Sequence, residues 1–229
     1  MQNSKALTKV AASFALLSSF SLPMASAAEL DISIVNATNG LYFTPVLIAA
    51  HDSDTYLFRT GESASDELKA MAEGGDISGL SSIVANVGGV VVENPAGGIL
   101  DPGSTASTSI DTGTHQYLSL SAMLLPTNDG FVGLDSWMIP STAGTYTITL
   151  NGYDAGTEAN DELKGSMPAP PFITFGSGGT GVETTLTNDT VHIHPGNLGD
   201  SDATGGISDL DASAHRWLNP VAIVTITVK

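Results

Sequence analysis

The stretch "TYTITLNGYDAGTEAND", residues 145–161, sets the frame for the whole chain. Its first half alternates: Tyr146, Ile148 and Leu150 fall on one side and Thr145, Thr147 and Thr149 on the other, the period of two that marks a half-buried β-strand. Its second half is polar and turns around Gly156, with Asp154 and Glu158 four positions apart. The same alternation recurs at both ends of the remaining chain. "ELDISIVNAT" (29–38) puts Leu30, Ile32 and Ile34 on one face, and "NPVAIVTITVK" (219–229) aligns Ala222, Val224, Ile226 and Val228. "LYFTPVLIAA" (41–50) and "HQYLSLSAMLLP" (115–126) are more continuously apolar, as expected of strands in the middle of a sandwich. Pro45 cannot donate to a ladder, so its strand is expected at an edge or a bulge.

Helical spacing is confined to one region. In "GESASDELKAMAEGG" (61–75), Ser63 and Asp66 resemble a capping box, Leu68, Met71 and Ala72 share a helix face, and Gly74-Gly75 marks the end. "ISGLSSIVANVGG" (77–89) reads as a second short helix. Glycine-rich connections at "NPAGGILDPGSTAS", "FGSGGTGVE" and "GNLGDSDATGGISD" are turns within one domain, because strand-like segments resume after each. The expected fold is therefore all-β: a single antiparallel β-sandwich over residues 28–229, with one or two short helices.

Residues 1–27 have a different composition. Lys5 and Lys9 precede an apolar run from Val10 to Leu22 and then "ASAA", the order of a secretory signal peptide with cleavage expected after Ala27. The apolar run is too short for a membrane span, and none long enough follows it. The product is expected to be secreted, extracellular or periplasmic, with no transmembrane segment. Loss of the two lysines would take the formal charge from -17 to -19. So acidic a surface repels phosphate backbones and anionic lipid, which disfavours nucleic-acid partners, and it attracts cations. The chain has no Cys, so disulfides and thiol chemistry are excluded.

Acidic residues gather in three places: Asp129 and Asp135 in "PTNDGFVGLDSW", Asp154, Glu158 and Asp161 in "NGYDAGTEANDE", and Asp200, Asp202, Asp209 and Asp211 in "GDSDATGGISDLD". Loops at one end of a sandwich can offer calcium the six to eight oxygens it takes, and Asp154 and Glu158 can both point inward if Gly156 bends the loop. Spacing alone equally fits solvated surface carboxylates. A glycosidase pair would need aromatic platforms, and only Trp137 and Trp217 exist, both in strand-like or core-like surroundings. "TVHIHPGNLGD" sets His192 and His194 on one face of a strand, a nitrogen pair for zinc or copper if another ligand joins, or else two hydrogen-bonded structural imidazoles. No G-x-S-x-G turn is present, and "GSGGTG" lacks the Lys of a phosphate loop, so no catalytic residue is assigned.

Taken together, "VNATNGLYFTPVLIAAH", "GESASDELKAMAEGGD", "LLPTNDGFVGLDS", "YDAGTEAND", "VHIHPGNLGD" and "HRWLNPVAIVTITV" resemble, in order, the spondin N-terminal domain family in its bacterial secreted form. The resemblance implies a C2-like β-sandwich and a calcium-binding adhesion or interaction module without catalytic activity. "PTNDGFVG" is similar to the family's S-P-D-W-x-V-G, which carries a calcium-ligand role onto Asp129. "DAGTE" is similar to D-A-G-T-D, which carries it onto Asp154 and Glu158. Glu replaces Asp at the last of these, and Gly130 stands where the pattern has an aromatic. The implied cofactor is Ca2+, and the implied partner is an extracellular protein or a matrix or cell-surface component, unidentified because this chain lacks the cysteines and appended modules of animal members. The alternative is a secreted zinc- or copper-binding protein or metalloenzyme built on His192 and His194.

Overall fold

The computed structural model describes residues 28–168, 188–202 and 206–229. The expected signal peptide, residues 1–27, and the turn "FGSGGTGVE" lie outside the described residues. Ten strands follow in chain order: β1 (Glu29–Asn36), β2 (Tyr42–Phe43), β3 (Leu47–His51), β4 (Val90–Glu93), β5 (Thr105–Asp111), β6 (Tyr117–Leu125), β7 (Gly130–Met138), β8 (Gly144–Asp154), β9 (His192–Ile193) and β10 (Ala222–Val228). Three short helices accompany them: α1 (Asp66–Gly74), α2 (Ser78–Asn86) and α3 (Ala212–His215). The strands run β4-β3-β6-β7-β8-β10-β1-β5, with β2 on β6 and β9 on β8, and every named pair is antiparallel.

β8 is the strand that the two sheets share. Its residues Gly144–Leu150 pair with β10, and Asn151–Asp154 pair with β7. One sheet is thus β5-β1-β10-β8 and the other β4-β3-β6-β7-β8. Leu30, Ile32 and Ile34 of β1, Val224 and Ile226 of β10, Leu120 and Leu124 of β6, and Leu150 of β8 meet in one buried cluster between them. Each such side chain, fully withdrawn from water, contributes about 1.5–3 kcal/mol. The expected inward faces of β1, β8 and β10 are the observed ones, and the outward threonines of β8 are exposed.

The continuous apolar runs have a second cause beyond a central place in the sheet. The outer face of β3, β6 and β7 is covered by the helices: Leu47, Ala49, Met123, Leu125 and Phe131 pack with Leu68, Met71 and Ala72 of α1 and Leu80 and Val84 of α2. Strands buried on both faces cannot alternate, so β6 is buried at every position but its first. The helix start lies two residues beyond the expected one: Ser65, not Ser63, caps α1, its Oγ accepting from Leu68 N at 3.1 Å, while Asp66 opens the first turn. Pro45 falls between β2 and β3 rather than within a ladder. It divides the apolar run in two, and β3 is an internal strand between β4 and β6 rather than an edge. At β7, Asp135 and Ser136 bulge opposite Ser119, with Ser136 at φ 48 and its N–H donating to Ser119 Oγ at 3.0 Å.

Candidate metal centre

The end of β8 and the start of β7 converge because Gly130 and Asp154 are cross-strand partners. Asp129 therefore arrives beside Asp154 through strand register. Asp154 continues the inward parity of Leu150 and Gly152, so the alternation that buries the strand also carries a carboxylate inside. Gly156 then reverses the chain with φ 74, and a Cβ there would stand 2.7 Å from the Asp189 carbonyl carbon and 2.9 Å from Thr190 N. Only glycine combines that left-handed backbone with so close an approach. Asp154 Oδ1 accepts from Gly156 N at 2.8 Å, closing a local turn, and Asn160 Nδ2 donates to Oδ2 at 2.6 Å. The turn aims the next two amides at the other loop: Asp129 Oδ2 accepts from Thr157 N at 2.8 Å, Thr157 Oγ1 at 3.2 Å and Glu158 N at 3.1 Å.

The three carboxylates named from the sequence are all buried: Asp129 and Asp154 are 0% exposed and Glu158 is 3%. Burial, reinforced by the neighbouring Asp154 charge, pushes the Asp129 carboxyl up to about 6 despite the hydrogen bonds from Thr157 and Glu158. Asp129 Oδ1 is buried with no hydrogen-bond partner. The ion pairs among the described residues bring no Lys or Arg to Asp129 or Asp154; they place His192 Nε2 3.7 Å from Asp154 Oδ2. Among the described residues, no three His, Asp or Glu side chains are grouped as a metal ion would require. The two loops are fastened by the hydrogen bonds that Thr157 and Glu158 make to Asp129, while those to Asp154 shape its own turn. Two adjacent buried anions with a spare oxygen nevertheless fit a hard cation, which takes oxygen ligands and offsets charge that burial disfavours.

Gly130 explains how the loop packs without an aromatic side chain. A Cβ at Gly130 would meet Thr127 Oγ1 at 2.7 Å, and Thr127 already fills that space, donating to the Leu124 carbonyl at 2.6 Å and accepting from Gly130 N at 3.0 Å. Beneath lie Phe58, Phe131 and Tyr153, with ring centres 4.9–5.5 Å apart. The other acidic residues have different tasks. Asp135 belongs to β7, where it holds Arg59 in an ion pair. Asp161 accepts from Asn128 Nδ2 and Ser166 Oγ. Asp200 accepts from the amides of Asp202, Ile207 and Ser208, and Asp211 caps α3 through Ser213 N. Three contributors carried no signal in the sequence reading: Asn160 on Asp154, Asn128 bridging to Asp161, and Glu162, whose carboxylate accepts from Leu198 N at 2.6 Å and Gly199 N at 2.9 Å.

The two histidines share a face, and β9 lays that face against the end of β8, with His192 opposite Asp154. His192 Nδ1 lies 2.7 Å from the Thr190 carbonyl oxygen. His194 is buried against Trp217, with ring centres 5.0 Å apart, and its Nδ1 accepts from Gly196 N at 2.9 Å. Burial pushes its imidazole down to about 4, against the pull of the Asp154 charge.

Sequence comparison agrees with this architecture. A family model described as Spondin_N matches residues 36–166, more than half of the chain, spanning both loops that hold Asp129, Asp154 and Glu158. β9 and β10 lie beyond the matched residues. No curated protein matches the chain.

Proposed function

The chain belongs to the spondin N-terminal family, a membership that supports an extracellular interaction domain, and on that premise we propose a secreted, non-enzymatic module that binds calcium at Asp129, Asp154 and Glu158. The observation that carries the reading is the pair of fully buried neighbouring carboxylates, one with its pKa pushed up to about 6 and one oxygen left without a hydrogen bond. Bound calcium would supply the positive charge that neither Lys nor Arg brings to Asp129 and Asp154. Asp129 and the Asp154–Glu158 turn would then hold each other through the ion as well as through the Thr157 and Glu158 amides. An affinity of ~0.1–1 mM is expected of an extracellular calcium module, so occupancy follows the medium.

The interaction partner is an extracellular protein or a matrix or cell-surface component. Secretion rests on residues 1–27, and sequencing of the exported protein should begin at Ala28. Calorimetric titration of chelator-treated protein with calcium tests the site. Wild type should bind one ion, and the Asp154→Ala, Glu158→Ala double variant should bind none. Absence of wild-type binding, or equal binding by the variant, would remove the assignment.

A further inference from the structure

The loop between β3 and α1 and the last turn of α2 enclose a groove of about 380 Å³, within the range of about 300–1,000 Å³ in which proteins hold ligands. Its floor is the buried Leu57, Phe58 and Leu68, part of the core beneath the helices. Its apolar wall serves no packing role of that kind. α2 buries Leu80 and Val84, yet Ile83 and Val87, one turn apart, also line the groove, and Val87 is 62% exposed. Tyr56 joins them from the loop, 41% exposed. Apolar side chains left in water around one concavity mark a contact surface. The loop that carries Tyr56 is held by its backbone: Thr55 N donates to the Asp52 carbonyl and Glu62 N to the Arg59 carbonyl, each at 3.2 Å, and Gly61 and Glu62 exchange bonds with Val191 at 2.7 and 2.8 Å. The groove is therefore formed before anything enters it, which lowers the ordering cost of binding.

The rim carries charge of one sign. Asp54 and Glu62 are exposed, and neither enters an ion pair among the described residues. Glu62 Oε2 accepts from the Tyr56 hydroxyl at 3.2 Å, which sets a carboxylate at the edge of the aromatic ring. Arg59 also lines the groove, but its guanidinium is paired with Asp135 and lies over the Tyr56 ring, 4.5 Å from the ring centre. We propose that this groove docks the partner, and that it takes a peptide segment in which an aliphatic or aromatic side chain is flanked by Lys or Arg. The inference rests on the reading of the chain as an interaction module, names the chemistry of the partner, and makes no use of the calcium site. The apolar side chain covers Leu57 and Phe58 between Tyr56 and Val87, and the flanking cations meet Asp54 and Glu62. An acidic segment would be repelled by the rim and by the formal charge of -17 on the whole chain. A segment with cations alone would leave Ile83 and Val87 in water, so the apolar anchor supplies affinity and the charges supply selection.

Amide shift mapping by NMR tests the proposal, with the synthetic peptide acetyl-Lys-Leu-Phe-Lys-amide as probe and acetyl-Glu-Leu-Phe-Glu-amide as its acidic counterpart, both titrated in chelator. The basic peptide should shift the amides of Tyr56 to Arg59, Glu62, Ile83 and Val87, and the acidic one should shift none of them. Glu62→Gln should weaken the basic peptide about two- to fivefold, as loss of an exposed ion pair does, and Val87→Ser about fivefold through lost apolar contact. Both positions are exposed, so neither variant threatens the fold. Asp200→Asn, an acidic surface position outside the groove, should leave the affinity unchanged. No shift with the basic peptide at millimolar concentration, equal binding of the acidic peptide, or shifts spread over the Asp200 and Asp211 loops would overturn the proposal. So would equal weakening by Asp200→Asn and Glu62→Gln, which would reduce the binding to unspecific attraction by the acidic surface. Because chelator is present throughout, these outcomes stand whether or not calcium binds at Asp129 and Asp154, and failure of the calcium titration leaves the docking result intact.

Discussion

Among the described residues Asp129 and Asp200 each accept three hydrogen bonds, and their carboxyl groups are displaced in opposite directions. Asp129 takes the Thr157 amide, the Thr157 hydroxyl and the Glu158 amide, and is pushed up to about 6. Asp200 takes the amides of Ser208, Asp202 and Ile207, and is held below the usual carboxylate range, chiefly by the Ser208 amide. The hydrogen bonds are alike, so they do not set the sign. The surroundings do: Asp129 is 0% exposed beside a second buried carboxylate, whereas the charge of Asp200 faces water. An acidic loop whose charge is satisfied by its own backbone and by solvent is a turn. An acidic loop that buries its charge against another anion has a use for a cation.

The largest effect expected is at the backbone that joins the two buried loops. Gly156→Ala would force a Cβ into the Asp189–Thr190 backbone from a left-handed conformation, at a cost of about 2–4 kcal/mol. Urea unfolding should register that loss. Calcium binding should fall with it, because the turn directs the Thr157 and Glu158 amides at Asp129.

A change of charge alone comes next. Asp129→Asn keeps an oxygen for the Thr157 and Glu158 amides and removes the buried anion, so in chelator at pH 7 it should stabilise the protein by on the order of 2–3 kcal/mol. If the proposed site holds calcium, the same variant should lose any stabilisation that calcium addition produces in wild type. A gain in chelator together with a loss in calcium is the signature of a carboxylate kept for a cation. A loss under both conditions would make Asp129 an ordinary structural acceptor, like Asp200.

The pH profile sharpens the contrast. The folded-state pKa of Asp129, about 6, lies above the ordinary carboxyl value of 3.8, so its contribution to stability is full below pH 4 and is lost as pH rises through 6. His194 acts in the other direction. Its folded-state pKa of about 4 lies below 6.5, so its contribution is full above pH 6.5 and is lost as pH falls toward 4. Between pH 4 and 6 the two oppose each other in metal-free wild type. Removing Asp129 should expose the His194 slope, and Asp129→Asn in chelator should gain stability steadily from pH 4 to 6.5 relative to wild type. Denaturant midpoints at pH 4.5, 5.5 and 6.5 would measure that difference, and parallel profiles would contradict the buried ionisation of Asp129.

The sequence carried local features well and spatial ones only where a pattern implied them. The alternation of β1, β8 and β10 reports one buried face and survives in the structure because each has water or a polar layer on the other. β3 and β6 lose the alternation because α1 and α2 roof their outer face, a fact about residues distant in sequence. The burial of Asp154 was legible in principle from the parity of Tyr146, Ile148, Leu150 and Gly152. Its meeting with Asp129 depends on the register Gly130 to Asp154, and its meeting with His192 on β9. No spacing rule within either loop specifies those distances. The family motifs pointed to Asp129, Asp154 and Glu158 and the His-x-His spacing to His192 and His194, while Asn160 and the placing of His192 beside Asp154 emerged only from geometry.

The smallest effect expected is at Asp200, which makes it the control for the others. Its carboxylate organises a surface turn, with Oδ1 on Asp202 N at 2.8 Å and Oδ2 on Ile207 N at 2.9 Å and Ser208 N at 3.1 Å. Asp200→Asn leaves one amide oxygen for these donors and sets an NH2 group against the rest, so the turn loosens and the thermal midpoint should drop slightly. The drop should shrink at low pH, where the wild-type carboxylate is also neutralised: its folded pKa is depressed, so its contribution is present above the unfolded value and disappears as pH falls through the folded one. Calcium affinity should be unchanged, because none of these donors belongs to the Asp129 or Asp154 loops. Reduced calcium affinity in Asp200→Asn would instead show that the two acidic regions act as one, and that burial is not what separates a turn from a cation site in this fold.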